Sequence, residues 1–220
     1  MKRVAIIAVL MFTASAYGAP TVADLGPLTG DIAAPLVYMG QLSGSLAREA
    51  SAANTTQVFL ENENVTLASA LNLSGGGSIA AGTSVSSYIV HFDPVGTPTS
   101  VYQGYGTITF DQPVLGLIFA TNTTATYSLL TASDTAVGLG AASYDADPYH
   151  RKLEIPQTTY QDVAGFAGNV VTVNLFTNVS MDEVRIITAA PVNPVPAPGA
   201  LALLGIGTGL VGWMRRRGAL

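Results

Sequence analysis

The densest run of chemically active side chains is Tyr144-Asp145-Ala146-Asp147-Pro148-Tyr149-His150-Arg151-Lys152-Leu153-Glu154. Asp145 and Asp147 alternate, the spacing at which loop carboxylates converge on one hard cation, and Glu154 or a backbone carbonyl would complete a Ca2+ shell. The glycine and the bidentate glutamate of an EF-hand loop are missing, so that motif is excluded. The competing expectation is a solvated turn with aromatic packing. Glu61 and Glu63 stand two apart, so an extended strand would put both on one face. Paired carboxylates serve glycoside cleavage when correctly separated, but no subsite accompanies these two, and an acidic, soluble strand face is the plainer expectation.

Two histidines, His91 and His150, complete the inventory of general bases. No serine sits in a Gly-x-Ser-x-Gly elbow, and Gly75-Gly76-Gly77 lacks the lysine of a phosphate loop. His91, beside Asp93, and His150 are therefore expected in structural roles. Tyr102, Tyr105, Tyr144, Tyr149 and Tyr160 are the aromatic side chains available to stack on a sugar ring. The sequence is read as that of a protein that is not an enzyme, with no cofactor other than Ca2+.

The chain has 220 residues, no cysteine, 9 Lys+Arg and 14 Asp+Glu. Five of the nine cations lie at the two ends (Lys2, Arg3, Arg215, Arg216, Arg217), leaving Arg48, Arg151, Lys152 and Arg185 against all fourteen acids in between. A body with that charge, near −10, repels phosphate backbones, which excludes nucleic acid as a partner. Without cysteine there are no disulfides and no thiolate zinc site. Stability must come from a packed core or a bound metal.

The elements expected to position these residues are short β-strands separated by Gly, Pro, Asn and Asp. Candidates are 58–67 (interrupted at Asn62 and Asn64), 85–92, 107–110, 114–120, 125–130, 170–176 and 183–188. In the last, Val184 and Ile186 are expected to face inward and Glu183 and Arg185 to face solvent. One helix is expected near 42–53, with Ser43 or Ser45 capping it. The spacing predicts an all-β fold: a single antiparallel β-sandwich or jelly roll over 19–188.

Both ends read as export signals. Lys2-Arg3, the apolar stretch 4–12 and the small residues Ala16 and Gly18 predict a cleaved signal peptide over 1–18. Residues 189–194 form a proline-rich spacer. Val195-Pro196-Ala197-Pro198 follows, then the apolar segment 199–214 and the basic cluster Arg215-Arg216-Arg217. About 16 residues reach roughly 24 Å as a helix, the short limit for a span, with the arginines on the cytoplasmic side.

This order resembles the PEP-CTERM sorting signal of Gram-negative bacteria in its Val-Pro-x-Pro form, with Ala197 where the name-giving glutamate stands. The sorting motif comprises Val195, Pro196, Ala197, Pro198 and the three arginines. The resemblance implies export by the Sec machinery, transient residence in the inner membrane, and recognition and cutting by the membrane protease-transpeptidase exosortase. It also implies a cell-surface or extracellular destination linked to exopolysaccharide and biofilm. Residues 85–94, 108–116 and 181–186 look like the bodies of other proteins with such tails, and Asp182-Glu183-Val184-Arg185-Ile186 is similar to the last strand of lectin-like jelly rolls. The function so implied is a structural or adhesive matrix protein, with a carbohydrate-binding module, Ca2+-dependent in one version, as the alternative.

Overall fold

Strand β12 (Asp182–Ala189) lies inside a five-stranded sheet and organises the molecule, because both of its faces are buried. The computed structural model describes residues 18–28, 31–48, 53–96, 100–122, 124–140, 143–147, 149–157, 159–177, 180–191 and 216. Before β12 the chain forms β1 (Thr21–Asp24), β2 (Ile32–Ala33), β3 (Leu36–Gln41), β4 (Thr56–Thr66), β5 (Leu71–Asn72), β6 (Ser78–Ile79), β7 (Ser84–Phe92), β8 (Tyr102–Thr109), β9 (Val114–Ile118), α1 (Thr124–Ala136), β10 (Val163–Ala167) and β11 (Val170–Thr177). All of them fall within one compact unit, Ala16–Pro191.

The first sheet has the order β1-β8-β11-β10, with β2 paired to β8; the second has the order β3-β4-β7-β12-β9. Antiparallel register sets Val184 opposite Val90 and Ile186 opposite Tyr88. These side chains, with Val58 and Phe92, meet Ile108, Val171, Val173 and Leu175 of the first sheet in one apolar core. Each such fully buried side chain contributes about 1.5–3 kcal/mol. The two sheets thus pack face to face in a sandwich-like, mostly β arrangement. Gly104 in β8 allows the close approach, since a Cβ there would overlap the Thr56 side chain on β4.

A third layer covers the far side of the second sheet. Leu130 and Val137, from α1 and the residue after it, pack on Val85, Ile118 and Ile187. Leu42, Leu46 and Tyr144 cover Ile89. This layer overturns the expectation for β12: Glu183 and Arg185 are both fully buried rather than solvent-facing. Their alternation with Val184 and Ile186 is real, but both faces of the strand are covered.

Other expectations are corrected in detail. The sheets are mixed, because β3 runs parallel to β4 and β2 parallel to β8. Residues 125–130 lie in helix α1, not in a strand. Leu130, Ser133 and Asp134 of that helix, and Val137 just after it, are all buried at helical spacing, but two of the four are polar, so no apolar period marks it. No helix occupies 42–48; Leu46 instead bridges to Tyr144, while 49–52 fall outside the described residues. The asparagines at 62 and 64 do not end β4. They mark register shifts within it, and Asn64 takes φ 55°, a left-handed conformation that asparagine tolerates well.

Among the described residues no helix is long and apolar enough to cross a membrane. Residues 1–17, the motif 195–198, the segment 199–214, Arg215 and Arg217 lie outside the described residues; Arg216 is exposed.

Candidate functional site

Two trios of carboxylates lie against β12, one on each side, all buried but for the half-buried Glu154. The outer trio is Glu61 from β4, Asp134 from α1 and Glu183 from β12, each at most 2 % exposed. Arg185 donates from Nε to Glu61 Oε2 at 2.7 Å and from Nη2 to Glu61 Oε1 at 2.8 Å, a bidentate pair. Its Nη2 also donates to Asp134 Oδ1 at 2.9 Å, and its Nη1 to the Ser133 hydroxyl. Arg151 forks onto the same Asp134, at 2.6 Å to Oδ2 and 2.9 Å to Oδ1, and donates from Nε to Glu183.

Neutral donors complete the shell. Ser87 donates to Glu61 Oε2 at 2.6 Å and the Tyr144 hydroxyl donates to Glu61 Oε1. The Tyr144 oxygen in turn accepts the Leu139 amide at 2.9 Å. Its ring lies under both guanidinia, with Cζ of Arg151 at 4.8 Å and Cζ of Arg185 at 5.0 Å from its centroid. His91 Nδ1 sits 3.0 Å from Glu183 Oε1, and since a carboxylate only accepts, that nitrogen carries the proton.

The charges hold one another in place. Burial would raise the Glu183 carboxyl, but the Arg151 charge and the His91 hydrogen bond keep it below the ordinary value. Burial would likewise ease proton loss from Arg185 and Arg151, yet Glu61 and Glu183 respectively, with Asp134, hold them cationic. Burial, and then the charge of Glu61, push the Tyr144 phenol far up, so it remains a donor. Every carboxylate is saturated and out of contact with solvent. The cluster clamps α1 and the 144–151 segment onto the sheet and leaves no acid or base available to a substrate.

The inner trio is Glu154, Asp162 and Asp182. One carboxylate oxygen from each lies within 4.8 Å of the others. Asp162, just ahead of β10, accepts the amides of Glu154 at 2.5 Å and Phe176 at 2.8 Å. Lys152 donates to Glu154 Oε1 at 2.9 Å and to Asn122 Oδ1 at 2.7 Å. Asp182, fully buried, has no hydrogen-bond donor at either oxygen. Burial pushes its carboxyl well above the ordinary value, and pushes Asp162 up to about 8 with Glu154 adding to the rise. Of all the described groups, these three carboxylates have the geometry to hold a metal.

No protein-family profile, no curated protein and no solved structure matches this chain.

The structure therefore redistributes the residues singled out in the sequence. Asp145 and Asp147 do not join Glu154. Asp145 Oδ1 accepts the Asp147 amide at 2.8 Å, and Asp147 Oδ1 accepts the Tyr149 amide at 2.9 Å, so both cap their own turn. Burial opposes the ionised form of Asp145, but the Asp147 and Arg48 amides and His150 hold its carboxyl below the usual range. Glu61 is buried whereas Glu63 is exposed, so the pair shares no environment.

The tyrosines do not assemble either. Tyr144 is buried and committed to Glu61. Tyr102 packs on the inter-sheet core, while Tyr105, three positions along β8, points to the opposite face. Tyr149 is exposed beside Tyr127 of α1, with Lys152 Nζ 4.7 Å above its ring. Sequence reasoning missed Asp134, Arg151, Asp162, Asp182, Glu183 and Arg185. One signal was present: Asp182-Glu183-Val184-Arg185 puts charges on both faces of a strand, in a body with only four fixed cations, which calls for buried partners.

Proposed function

We propose that the chain is an exported, non-enzymatic protein with a structural or adhesive role at the cell surface or in an extracellular, exopolysaccharide-rich matrix. Exosortase would deliver it through its C-terminal sorting signal, after Sec export and a transient stay in the inner membrane. The observation that carries this reading is the tail: Val195-Pro196-Ala197-Pro198, sixteen apolar or small residues, and Arg215-Arg216-Arg217. The body supports it in a general way. Two sheets and a covering layer enclose an interior in which most cations already serve as struts, an arrangement suited to persistence outside the cell rather than to turnover of a substrate.

A carbohydrate-binding role is the second reading. It draws on a cavity of about 270 Å³ lined by Tyr160, Gln157, Glu154 and Thr177, where a half-exposed ring adjoins polar groups. The test of delivery is the intact mass of protein recovered outside the cell. Loss of the segment beyond Pro198 is the expected result; recovery of a species that still carries Trp213 and the arginines overturns it. Retention on extracted exopolysaccharide that a Tyr160→Ala variant loses would favour the second reading.

A further inference from the structure

We propose that Glu154, Asp162 and Asp182 form a Ca2+ site that ties the two sheets to the 151–157 segment at one end of the sandwich. The proposal stands on this geometry and not on the export reading.

Asp182 is the deciding residue. It is the first residue of β12, shares the inward face with Val184 and Ile186, and is fully buried. A buried carboxylate with no donor is strongly disfavoured, because nothing replaces the water it has lost. The groups crowding it are carboxylates, Glu154 and Asp162. Ionised carboxylates only accept hydrogen bonds, so close oxygens need a proton shared between them or a cation. With all three carboxyls ionised around a cation, the one ammonium of Lys152 leaves two negative charges. A single divalent ion neutralises them.

The donor set selects the ion. All three ligands are carboxylate oxygens, which suit hard cations and exclude metals that want sulfur or imidazole. One oxygen from each side chain lies within 4.8 Å of the others, close enough for the three to turn toward one ion. Mg2+ demands a near-ideal octahedron at about 2.0–2.1 Å, dehydrates reluctantly and is usually held by one or two carboxylates, whereas Ca2+ accepts several carboxylates in a flexible shell, so a trio of carboxylates favours Ca2+. The cavity beside Glu154, lined also by Gln157, Thr177 and Ser180, gives an entry path and room for the waters that complete a Ca2+ shell.

The site also explains how three remote segments meet. Asp162 already joins the amide of Glu154 to that of Phe176 on β11 in the first sheet, and Asp182 brings in β12 of the second. Ion binding would thus couple the sheets. Extracellular Ca2+ modules bind in the range of about 0.1–1 mM, which sets the concentrations a titration must reach.

The test is calorimetric titration of the full chain, freed of metal with EGTA, by CaCl2 and separately by MgCl2, followed by thermal melts. The expected results are one Ca2+ per chain, weaker or no Mg2+ binding, and a Tm rise of about 5–10 °C at a hundredfold excess over Kd. Asp182→Asn should lose the Ca2+ response and yet melt no lower than the wild type when both are metal-free. Absence of heat and of any melting shift up to about 10 mM CaCl2, tenfold above the weak end of extracellular affinities, would overturn the site and leave a shared proton as the resolution. A Ca2+ response unchanged in Asp182→Asn would overturn this assignment of ligands. The wild-type titration stands by itself should the variant fail to fold.

Discussion

The two trios of carboxylates flank the same strand, and neighbouring residues of β12 serve them: Glu183 the outer and Asp182 the inner. They differ in how their charge is met. Around Glu61, Asp134 and Glu183 stand two guanidinia, an imidazole, one serine hydroxyl and a phenol, placed so that every oxygen pair is engaged. Around Glu154, Asp162 and Asp182 stand one ammonium and two amides, with Asp182 left bare. Asp162 and Asp182 are as deeply buried as the outer three, with only Glu154 reaching toward solvent, so desolvation alone does not separate the trios. The difference teaches that the outer cluster is a finished structural element and that the inner one is completed by something added.

The most forceful way to break the comparison is to remove a guanidinium from the outer cluster. Arg185→Ala would leave Glu61 without its bidentate partner and Asp134 with one cation instead of two. Stripping one member from a buried ionic cluster costs about 3–5 kcal/mol, roughly a 10 °C fall in Tm for a body of this size. Urea melts monitored by tryptophan-independent circular dichroism would report it, and a loss below about 1 kcal/mol would mean the cluster is not a clamp.

A milder change tests the neutral donors. Tyr144→Phe keeps the ring beneath both guanidinia but removes the hydroxyl that links Glu61 to the Leu139 amide. The part-buried Leu139 amide then loses its acceptor and Glu61 Oε1 keeps only Arg185, at a cost of about 1 kcal/mol. Gly138 explains why little else fits there, since a Cβ on it would lie 2.5 Å from the Tyr144 oxygen and 3.0 Å from Arg185 Nη2.

Acid gives the gentlest probe. Glu183 titrates below its ordinary value of 4.5 when folded. A carboxyl with a depressed folded pKa contributes stability above its unfolded pKa and loses it as pH falls through the folded one. The urea midpoint should therefore fall steadily below about pH 4.5, and Glu183→Gln should flatten that part of the profile.

The sequence disclosed the apolar half of this architecture better than the charged half. Val184, Ile186, Tyr88 and Val90 alternate as two-faced strands must, and the mostly β body follows from them. Helix α1 was hidden because Ser133 and Asp134 occupy its inward face, where their partners are guanidinia rather than aliphatic groups. The burial of Glu183 and Arg185 is hidden for the same reason: a strand pattern says which residues share a face, not whether a third layer covers it. Glu154 was picked out as a ligand candidate, but with Asp145 and Asp147, its neighbours in sequence. Its companions in space, Asp162 and Asp182, come from segments that no local spacing rule connects.

One measurement bears most directly on the contrast between the trios: the metal-free stability of Glu183→Gln against that of Asp182→Asn, in EGTA near neutral pH. Both changes neutralise one buried carboxylate on adjacent residues of one strand. Glu183→Gln is predicted to destabilise, because Arg151 loses one of its two anionic partners and His91 its carboxylate, and Asp182→Asn to be neutral or stabilising, because a buried carboxyl with no donor disappears. Destabilisation of comparable size by both would contradict the account, for it would mean that the inner carboxylates are satisfied as they stand.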